Sequence, residues 1–221
     1  MMRVGDIMKP MAPVLETGTY AAVCVGVAAI GEQYVDYSKF GKDENGNTRK
    51  PKYEYHMVFI WDIPSKLDDD GKPKQLSKEI NVAFSSTSNL NKILSAWNSR
   101  TYTSAECRDA NLEEQIGKAC ILTVEATESG FSNVKAVSAI PDGMTAPTTN
   151  TPPIIFSVFE WNDDVFKTLP DWLQNKIKQS TQYQKPHPPT NTIDFPNAAD
   201  FKPAVPVSVN ASDFHDEDVP F

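Results

Sequence analysis

The sequence contains no run of 18 apolar residues, only three cysteines and only three histidines. The first absence argues against a membrane-spanning helix, and we expect no contact with a membrane. Three scattered cysteines form neither a disulfide framework nor a zinc knuckle, so Cys24, Cys107 and Cys120 are interpreted as reduced thiols. The first 18 residues lack the unbroken apolar segment of a secretory signal. These features predict a cytoplasmic protein.

Motifs of catalysis are missing as well. The sequence has no GxxxxGK[ST] loop, no GxGxxG after a strand, and no HExxH, GxSxG or CxxC. Cys24 and Cys120 lie within apolar strand patterns, which is typical of inert core thiols. The run Asp68–Asp70 precedes a DG turn signal and is interpreted as a solvated loop. We therefore expect that the protein is not an enzyme and needs no metal or other cofactor.

Charge and proline are unevenly distributed along the 221 residues, whose net charge is −8. Residues 1–143 hold 16 basic residues, 19 acidic residues and six prolines. Residues 144–221 hold five basic residues, ten acidic residues and eleven prolines. Proline-rich acidic sequence buries too little apolar surface to offset chain entropy. The distribution predicts a folded domain at 1–143, a linker at 144–153, a small helical element at 154–184 and a disordered tail at 185–221.

The pattern of the first 143 residues indicates a mainly β fold. Alternating apolar residues predict strands at 19–30, 51–63 and 77–85, with a long loop at 31–50 between the first two. Thr87 or Ser88 can cap a helix, Thr103 and Glu106 have capping-box spacing, and a hairpin follows at 118–140. Three strands, a helical insertion and two further strands are the order of an OB-fold. We predict a five-stranded OB-like barrel with a helical insertion between strands 3 and 4.

The element at 154–184 is an apolar island between two polar, proline-rich stretches. A helix is expected to begin near Pro170, because proline is well tolerated in the first turn of a helix. We favour a helical element that packs back on the barrel. The alternative is a separate module that binds a partner.

Aromatic residues near the start of the second strand and in the loop before it are candidates for base stacking. Each base has a π-face, and stacking on an aromatic ring contributes about 1–3 kcal/mol without reading sequence. The alternative for such rings is core packing, which we expect for Met57 and Phe59. The candidate stacking residues are Tyr34, Tyr37, Phe40, Tyr53 and Tyr55.

Basic residues are concentrated in two places in an otherwise acidic chain. Residues 39–52 carry a net charge of +3, and three lysines precede Glu79. Basic side chains beside aromatic rings are the pattern of single-stranded DNA binding, whereas the alternative is a charged solvated loop. The candidate phosphate contacts are Lys39, Lys42, Arg49, Lys50, Lys52, Lys72, Lys74 and Lys78.

The last residues, DFHDEDVPF, place acidic side chains among apolar ones. A terminal phenylalanine with its free carboxylate can enter a small pocket of a partner, while the acids before it meet a basic rim. The candidate partner-binding residues are Asp213, Phe214, Asp216, Glu217, Asp218, Val219, Pro220 and Phe221.

This tip resembles the acidic tail, ending in Pro-Phe, of bacterial single-stranded-DNA-binding proteins. The segments GTYAAVCVGVAAIGEQY, LNKILSAWNSR and IGKACILTV resemble those of phage- and prophage-encoded members of that class. The resemblance covers about 17–143, the island and the tip, which departs from the bacterial pattern at His215 and Val219. It implies single-stranded DNA binding in phage replication or recombination inside a bacterial host. It also implies that the tip recruits replication or recombination proteins.

Two other functions stay open at this point. One is an annealing protein for recombination, which would promote pairing of complementary strands. The other is a protein-interaction module that does not bind DNA. Whether copies of the chain assemble into a homo-oligomer also stays open.

Overall fold

The computed structural model describes residues 15–42, 44–127 and 131–184. The described chain is mainly β, with six strands in one sheet that is antiparallel except for its sixth strand. The strand order is β3-β2-β1-β4-β5, and β6 pairs in parallel with β1. The strands are β1 (Gly18–Val35), β2 (Lys52–Leu67), β3 (Pro73–Asn81), β4 (Ala119–Ala126), β5 (Ser132–Ser138) and β6 (Ile154–Ser157).

Two details of the sheet differ from the expected five-stranded barrel. A sixth strand is added from the segment expected to be helical, and no ladder of backbone hydrogen bonds joins β3 to β5 within the described residues, so the sheet is not closed. The two end strands nevertheless approach each other, because Lys78 Nζ of β3 donates to the Val134 carbonyl oxygen of β5. The lysine therefore links the two ends of the sheet.

The first hairpin is longer than its sequence pattern indicated. β1 continues five residues beyond the expected end at 30, because its second half pairs with the start of β2 from Gly31↔His56 to Val35↔Lys52. The polar composition of this part reflects a hairpin arm that extends past the core. The third strand spans Pro73–Asn81 instead of the expected 77–85, so it ends earlier as well as beginning earlier. It begins earlier because the Asp68 N–H bonds to the Lys72 carbonyl at 2.8 Å and closes the turn at 68–72.

One face of the sheet, with the helices after β3, encloses the main core. The helix α1 (Asn89–Trp97) begins as predicted, with Ser88 accepting from the Asn91 N–H at 3.2 Å. Phe59, Trp61 and Trp97 form a triangle with ring centroids 5.6 to 5.9 Å apart. Rings at these separations add favourable aromatic contacts to the burial of their area.

The short helix α2 (Ser104–Arg108) confirms the predicted capping box. The Thr103 N–H donates to Glu106 Oε2 at 2.8 Å, and the Glu106 N–H donates to Thr103 Oγ1 at 3.2 Å. These two bonds satisfy backbone donors that otherwise lack a partner at a helix start. In chain order, the helices α1 and α2 lie between β3 and β4.

The opposite face of β1 and β2 is covered by the C-terminal element, which we define as residues 154–184. It contains β6 and the helices α3 (Asp163–Thr168), α4 (Asp171–Ile177) and α5 (Thr181–Gln184). A second core forms there from buried apolar side chains of β1, β2 and the element: Val25, Ala28, Ile30, Val58, Ile60, Phe156, Val158, Phe166, Leu169, Leu173 and Ile177. The central strands are therefore buried on both faces.

The segment before this element is attached to the sheet by a buried acid. Asp62 is fully buried, and its carboxylate accepts hydrogen bonds from Gln75 Nε2 at 2.9 Å, from Thr149 Oγ1 at 2.5 Å and from Thr151 Oγ1. A buried carboxylate is costly unless it is hydrogen-bonded, and these donors satisfy it. The threonines of the stretch expected to be a linker thus fix its path. No helix in the described residues is long and apolar enough to cross a membrane.

Candidate nucleic-acid interface

Four exposed aromatic rings lie together where the β1–β2 hairpin leaves the core. Three come from the hairpin and one from the C-terminal element, and they are 47% to 57% exposed. The Tyr34 and Tyr53 rings are 5.4 Å apart with an angle of 64° between their planes, and the Tyr55 and Phe159 rings are 5.9 Å apart. We call this the aromatic surface; it consists of Tyr34, Tyr53, Tyr55 and Phe159.

Strand register explains why the tyrosines share one side. Tyr34 pairs with Tyr53, and Glu32 pairs with Tyr55, so all three rings project from the face that holds Met57 and Phe59 further along. Inside the core these alternate positions of β2 are buried, whereas the tyrosines lie beyond its edge. The same alternation therefore supplies core residues at one end of β2 and exposed rings at the other.

The Tyr37 and Phe40 rings lie on the 3-10 turn Tyr37–Phe40 after β1, with centroids 6.0 Å apart. Tyr37 differs from the other tyrosines because its hydroxyl donates to Glu54 Oε2. That hydrogen bond, with burial and the nearby carboxylate charge, raises the pKa of Tyr37 to about 12. The Tyr37 hydroxyl is therefore hydrogen-bonded within the hairpin. The Phe40 side chain, in contrast, is 68% exposed to solvent.

The Glu54 carboxylate binds two side chains near the loop that joins β1 to β2. Lys52 Nζ lies 2.5 Å from Glu54 Oε1 and 5.0 Å from the Tyr37 ring centroid. Burial alone would raise the pKa of the Glu54 carboxyl, but the hydrogen bonds from Lys52 and Tyr37 and the nearby positive charge together hold it below its usual value. The lysine and the tyrosine ring are therefore held by one carboxylate.

The remaining cations of the hairpin are exposed to solvent. Lys39 is 3.7 Å from Asp36, and Arg49 Nε donates to the Lys42 carbonyl at 3.3 Å. Among the described residues, no carboxylate forms an ion pair with Lys42, Arg49 or Lys50. The charges of these three side chains are therefore not neutralised by a carboxylate among the described residues.

The second basic cluster is at the opposite end of β2. Lys74 pairs with Ile63, and Lys72 lies in the turn after Leu67, so neither is near the aromatic surface. They line a groove of about 910 Å³ together with Leu15, Leu67 and Thr149. The structure thus places the aromatic candidates and the cations of 39–52 at the same end of the hairpin, with Tyr53 and Lys52 on opposite faces of β2. Lys72 and Lys74 are separated from them.

Lys78 occupies a third environment. It is half-buried between β3 and β5, where its ammonium bonds to the Val134 carbonyl. Burial, with a smaller contribution from Lys135, lowers the pKa of Lys78. This lysine supports the fold at that point.

A partly exposed ionic cluster lies on the other face of the same strands and joins them to the C-terminal element. His56 Nδ1 is 2.6 Å from Glu79 Oε1, and Lys176 Nζ of α4 is 3.0 Å from Glu79 Oε2. Burial would raise the pKa of Glu79, but the bonds to His56 and Lys176 and their charges outweigh it and lower that pKa.

The described residues contain no cluster of three or more histidines, cysteines or acids that could hold a metal ion. Burial raises the pKa of the Cys24 thiol to about 12 and also raises that of Cys120, so both remain protonated at neutral pH. The tip residues Asp213–Phe221 lie outside the described residues.

Sequence reasoning missed two members of this site. Phe159 was not among the predicted stacking residues, because no local pattern separates it from the buried Phe156 or Phe166. Glu54 was not predicted as a site residue either, although it lies between the basic residues Lys52 and His56 in the sequence. Comparison of the chain with protein-family models, with curated proteins and with solved structures gave no match.

Proposed function

We propose that this protein binds single-stranded DNA without sequence preference, in phage replication or recombination. The binding unit is an OB-like barrel of five strands, with α1 and α2 as the insertion between its third and fourth strands. The observation that carries the proposal is the group of three half-exposed tyrosines beside a hairpin rich in cations.

Base stacking is the chemistry that these rings suit. Tyr34, Tyr53 and Tyr55 lie on one side of an antiparallel strand pair, so successive bases can meet successive rings. Stacking tolerates any base and is unavailable to a paired base inside a duplex. This arrangement therefore supports binding of unpaired strands over duplex DNA.

The hairpin cations suit the phosphate backbone. Lys42, Arg49 and Lys50 are exposed and free of carboxylate partners among the described residues, which leaves their charge available to an anion. Each phosphate neutralised on a single strand contributes about 0.7 to the slope of log affinity against log salt. Local charge of this kind reconciles DNA binding with a net charge of −8.

The acidic tip has a separate role in the proposal. Asp213–Phe221 recruits replication or recombination proteins, on the strength of its sequence alone. No bond is made or broken and no cofactor takes part. The physical work of the protein is to hold unpaired DNA extended and to bring enzymes to it.

A binding titration with the full chain tests the proposal. We expect a labelled oligo-dT to bind more tightly than a duplex of the same length, and more weakly as salt rises. Tyr53→Ala should weaken binding about five- to 150-fold, the range expected for loss of one stacking ring. Trp172→Ala is the matched control, since Trp172 is 46% exposed on α4, outside the aromatic surface.

No binding by the intact chain at low salt would contradict the proposal. The protein-interaction module would then be the better explanation, and the search would turn to protein partners. Equal affinity for duplex and single strand would also contradict it, because stacking on the tyrosines requires unpaired bases.

A further inference from the structure

We infer that Phe159 is a fourth stacking residue, and that the C-terminal element is therefore part of the DNA-binding site. This inference rests on the proposed function and extends it to a segment that the sequence presented as a helical support or as a partner-binding module. It assigns a DNA contact to a residue that lies about 100 positions after Tyr55, the last tyrosine of the aromatic surface in the chain.

Phe159 is held in place by the backbone around it. The Val158 N–H donates to the Ala29 carbonyl at 3.1 Å, which extends the pairing of β6 with β1 by one residue. The Phe159 N–H donates to Ser157 Oγ at 3.2 Å, and the Glu160 N–H closes a turn on the Ser157 carbonyl. The ring is therefore presented from a fixed turn at the edge of β1.

Its side chain stands apart from the second core. Phe156, Val158 and Phe166 of the same element are buried, whereas Phe159 is 55% exposed. Its only ring neighbour within the described residues is Tyr55, 5.9 Å away and tilted by 52°. An apolar ring that the fold does not bury, beside three others, is the arrangement expected of a ligand surface.

The anchoring of the element supports this placement. The Glu32 N–H donates to Gln182 Oε1 at 2.7 Å, and Thr181 Oγ1 donates to the Glu32 carboxylate at 2.8 Å. Glu32 is the cross-strand partner of Tyr55, so the element is fixed at the level of the aromatic surface. Because a ligand that binds only the assembled site stabilises it, DNA should also stabilise the docked element.

The experiment compares full-length variants for binding to oligo-dT. Phe159→Ala should weaken binding about five- to 150-fold, as expected for one ring. Phe159→Leu keeps an apolar side chain without a ring and should bind about as weakly, whereas Phe159→Trp should restore binding. Trp172→Ala, an exposed ring on the same element, should leave the affinity unchanged.

Thermal unfolding of each variant separates stacking from folding. Because the ring is exposed, Phe159→Leu should unfold at the same temperature as the intact protein, so that any loss of affinity belongs to the site. If Phe159→Ala unfolds at a lower temperature than the intact protein, the affinities of Phe159→Leu and Phe159→Trp for oligo-dT test the inference instead. Wild-type affinity in Phe159→Leu would overturn the inference.

The outcomes also distinguish the inference from the proposed function. If Tyr53→Ala weakens binding and Phe159→Ala does not, the proposed function stands and the inference fails. If the intact chain does not bind oligo-dT, the proposed function itself fails. A Tyr55→Ala/Phe159→Ala double variant should lose less than the sum of the two single losses, since the two rings are neighbours.

Discussion

The side-chain oxygen of Gln182 accepts a hydrogen bond from the Glu32 backbone N–H, directly beside Gly31. Gly31 has φ +79°, and a Cβ added to it would lie 2.5 Å from that oxygen and 3.0 Å from the Ser180 Cβ. The strand register shifts between Ala29 and Gly31 at the same point. A glycine at a bulge thus lets the C-terminal element approach β1 closely.

Gly31→Ala should therefore destabilise the protein by about 1–3 kcal/mol, because it adds crowding to a strained backbone conformation. The free energy of unfolding in urea measures the effect. Gly71→Ala is the matched control, since Gly71 has φ +75° and no atom within 4 Å of the added Cβ. An equal loss in both variants would show that the close approach of Gln182 contributes nothing.

Part of this fold could be predicted from local sequence. The caps at Ser88 and Thr103 depend on residues three positions apart, and both are confirmed. The expected burial of Met57 and Phe59 is confirmed, and with Trp61 they lie on one buried face of β2. The structure also buries the opposite face of β2, at Val58 and Ile60.

The covering of that second face could not be predicted from local pattern. Phe156 and Phe159 are three residues apart in the same apolar stretch, yet one is buried and the other belongs to the aromatic surface. The difference arises from the parallel pairing of β6 with Gly26–Ala29 of β1, a contact between distant parts of the chain. Similarly, Thr149 lies in a polar, proline-rich stretch, and only the fold brings it to Asp62.

Acid should weaken the attachment of α4 through Glu79. Its pKa is below the usual 4.5 in the folded chain, so the unfolded chain binds this proton more tightly. The stabilisation is therefore complete above pH 4.5 and is lost as the pH falls through the lowered value. In urea titrations across this range, the stability difference between the intact protein and Glu79→Gln should shrink as the pH falls.

The control for this titration is Glu113→Gln, because Glu113 is exposed and its carboxylate has no ion pair among the described residues. Its stability should follow that of the intact protein at every pH. A constant difference between Glu79→Gln and the intact protein, down to full protonation, would mean that the bonds to His56 and Lys176 do not depend on the Glu79 charge.

The hydrogen bond between Tyr37 and Glu54 predicts a measurable shift in a tyrosine pKa. In the intact protein this bond raises the pKa of Tyr37 to about 12. Glu54→Gln removes the negative acceptor, so the pKa of Tyr37 should fall toward 10.0. NMR titration of the tyrosine rings measures the change, and Tyr37→Phe identifies the signal among seven tyrosines. An unchanged Tyr37 pKa in Glu54→Gln would contradict the assigned bond.

The two basic clusters lie at opposite ends of β2, so the effect of oligonucleotide length on binding can show which cluster contacts the DNA. Lys50 lies on the β1–β2 hairpin, whereas Lys72 lies beyond the opposite end of β2. Lys50→Ala should lower the salt slope of binding by about 0.7 for any oligonucleotide, as expected for one lost phosphate contact. Lys72→Ala should lower it only for a strand long enough to reach that end of the sheet. Oligonucleotides of about four and about 16 nucleotides span the site sizes of single OB-folds and make the comparison.

Lys92→Ala serves as the control for both lysines, because Lys92 is exposed on α1 and outside both clusters. It should leave the slope unchanged at either length. A strand that passes from the aromatic surface along the sheet would give the Lys72 effect with the longer oligonucleotide alone. If Lys72→Ala matches Lys92→Ala at both lengths, the bound strand is confined to the hairpin end, and the second cluster has no part in holding it.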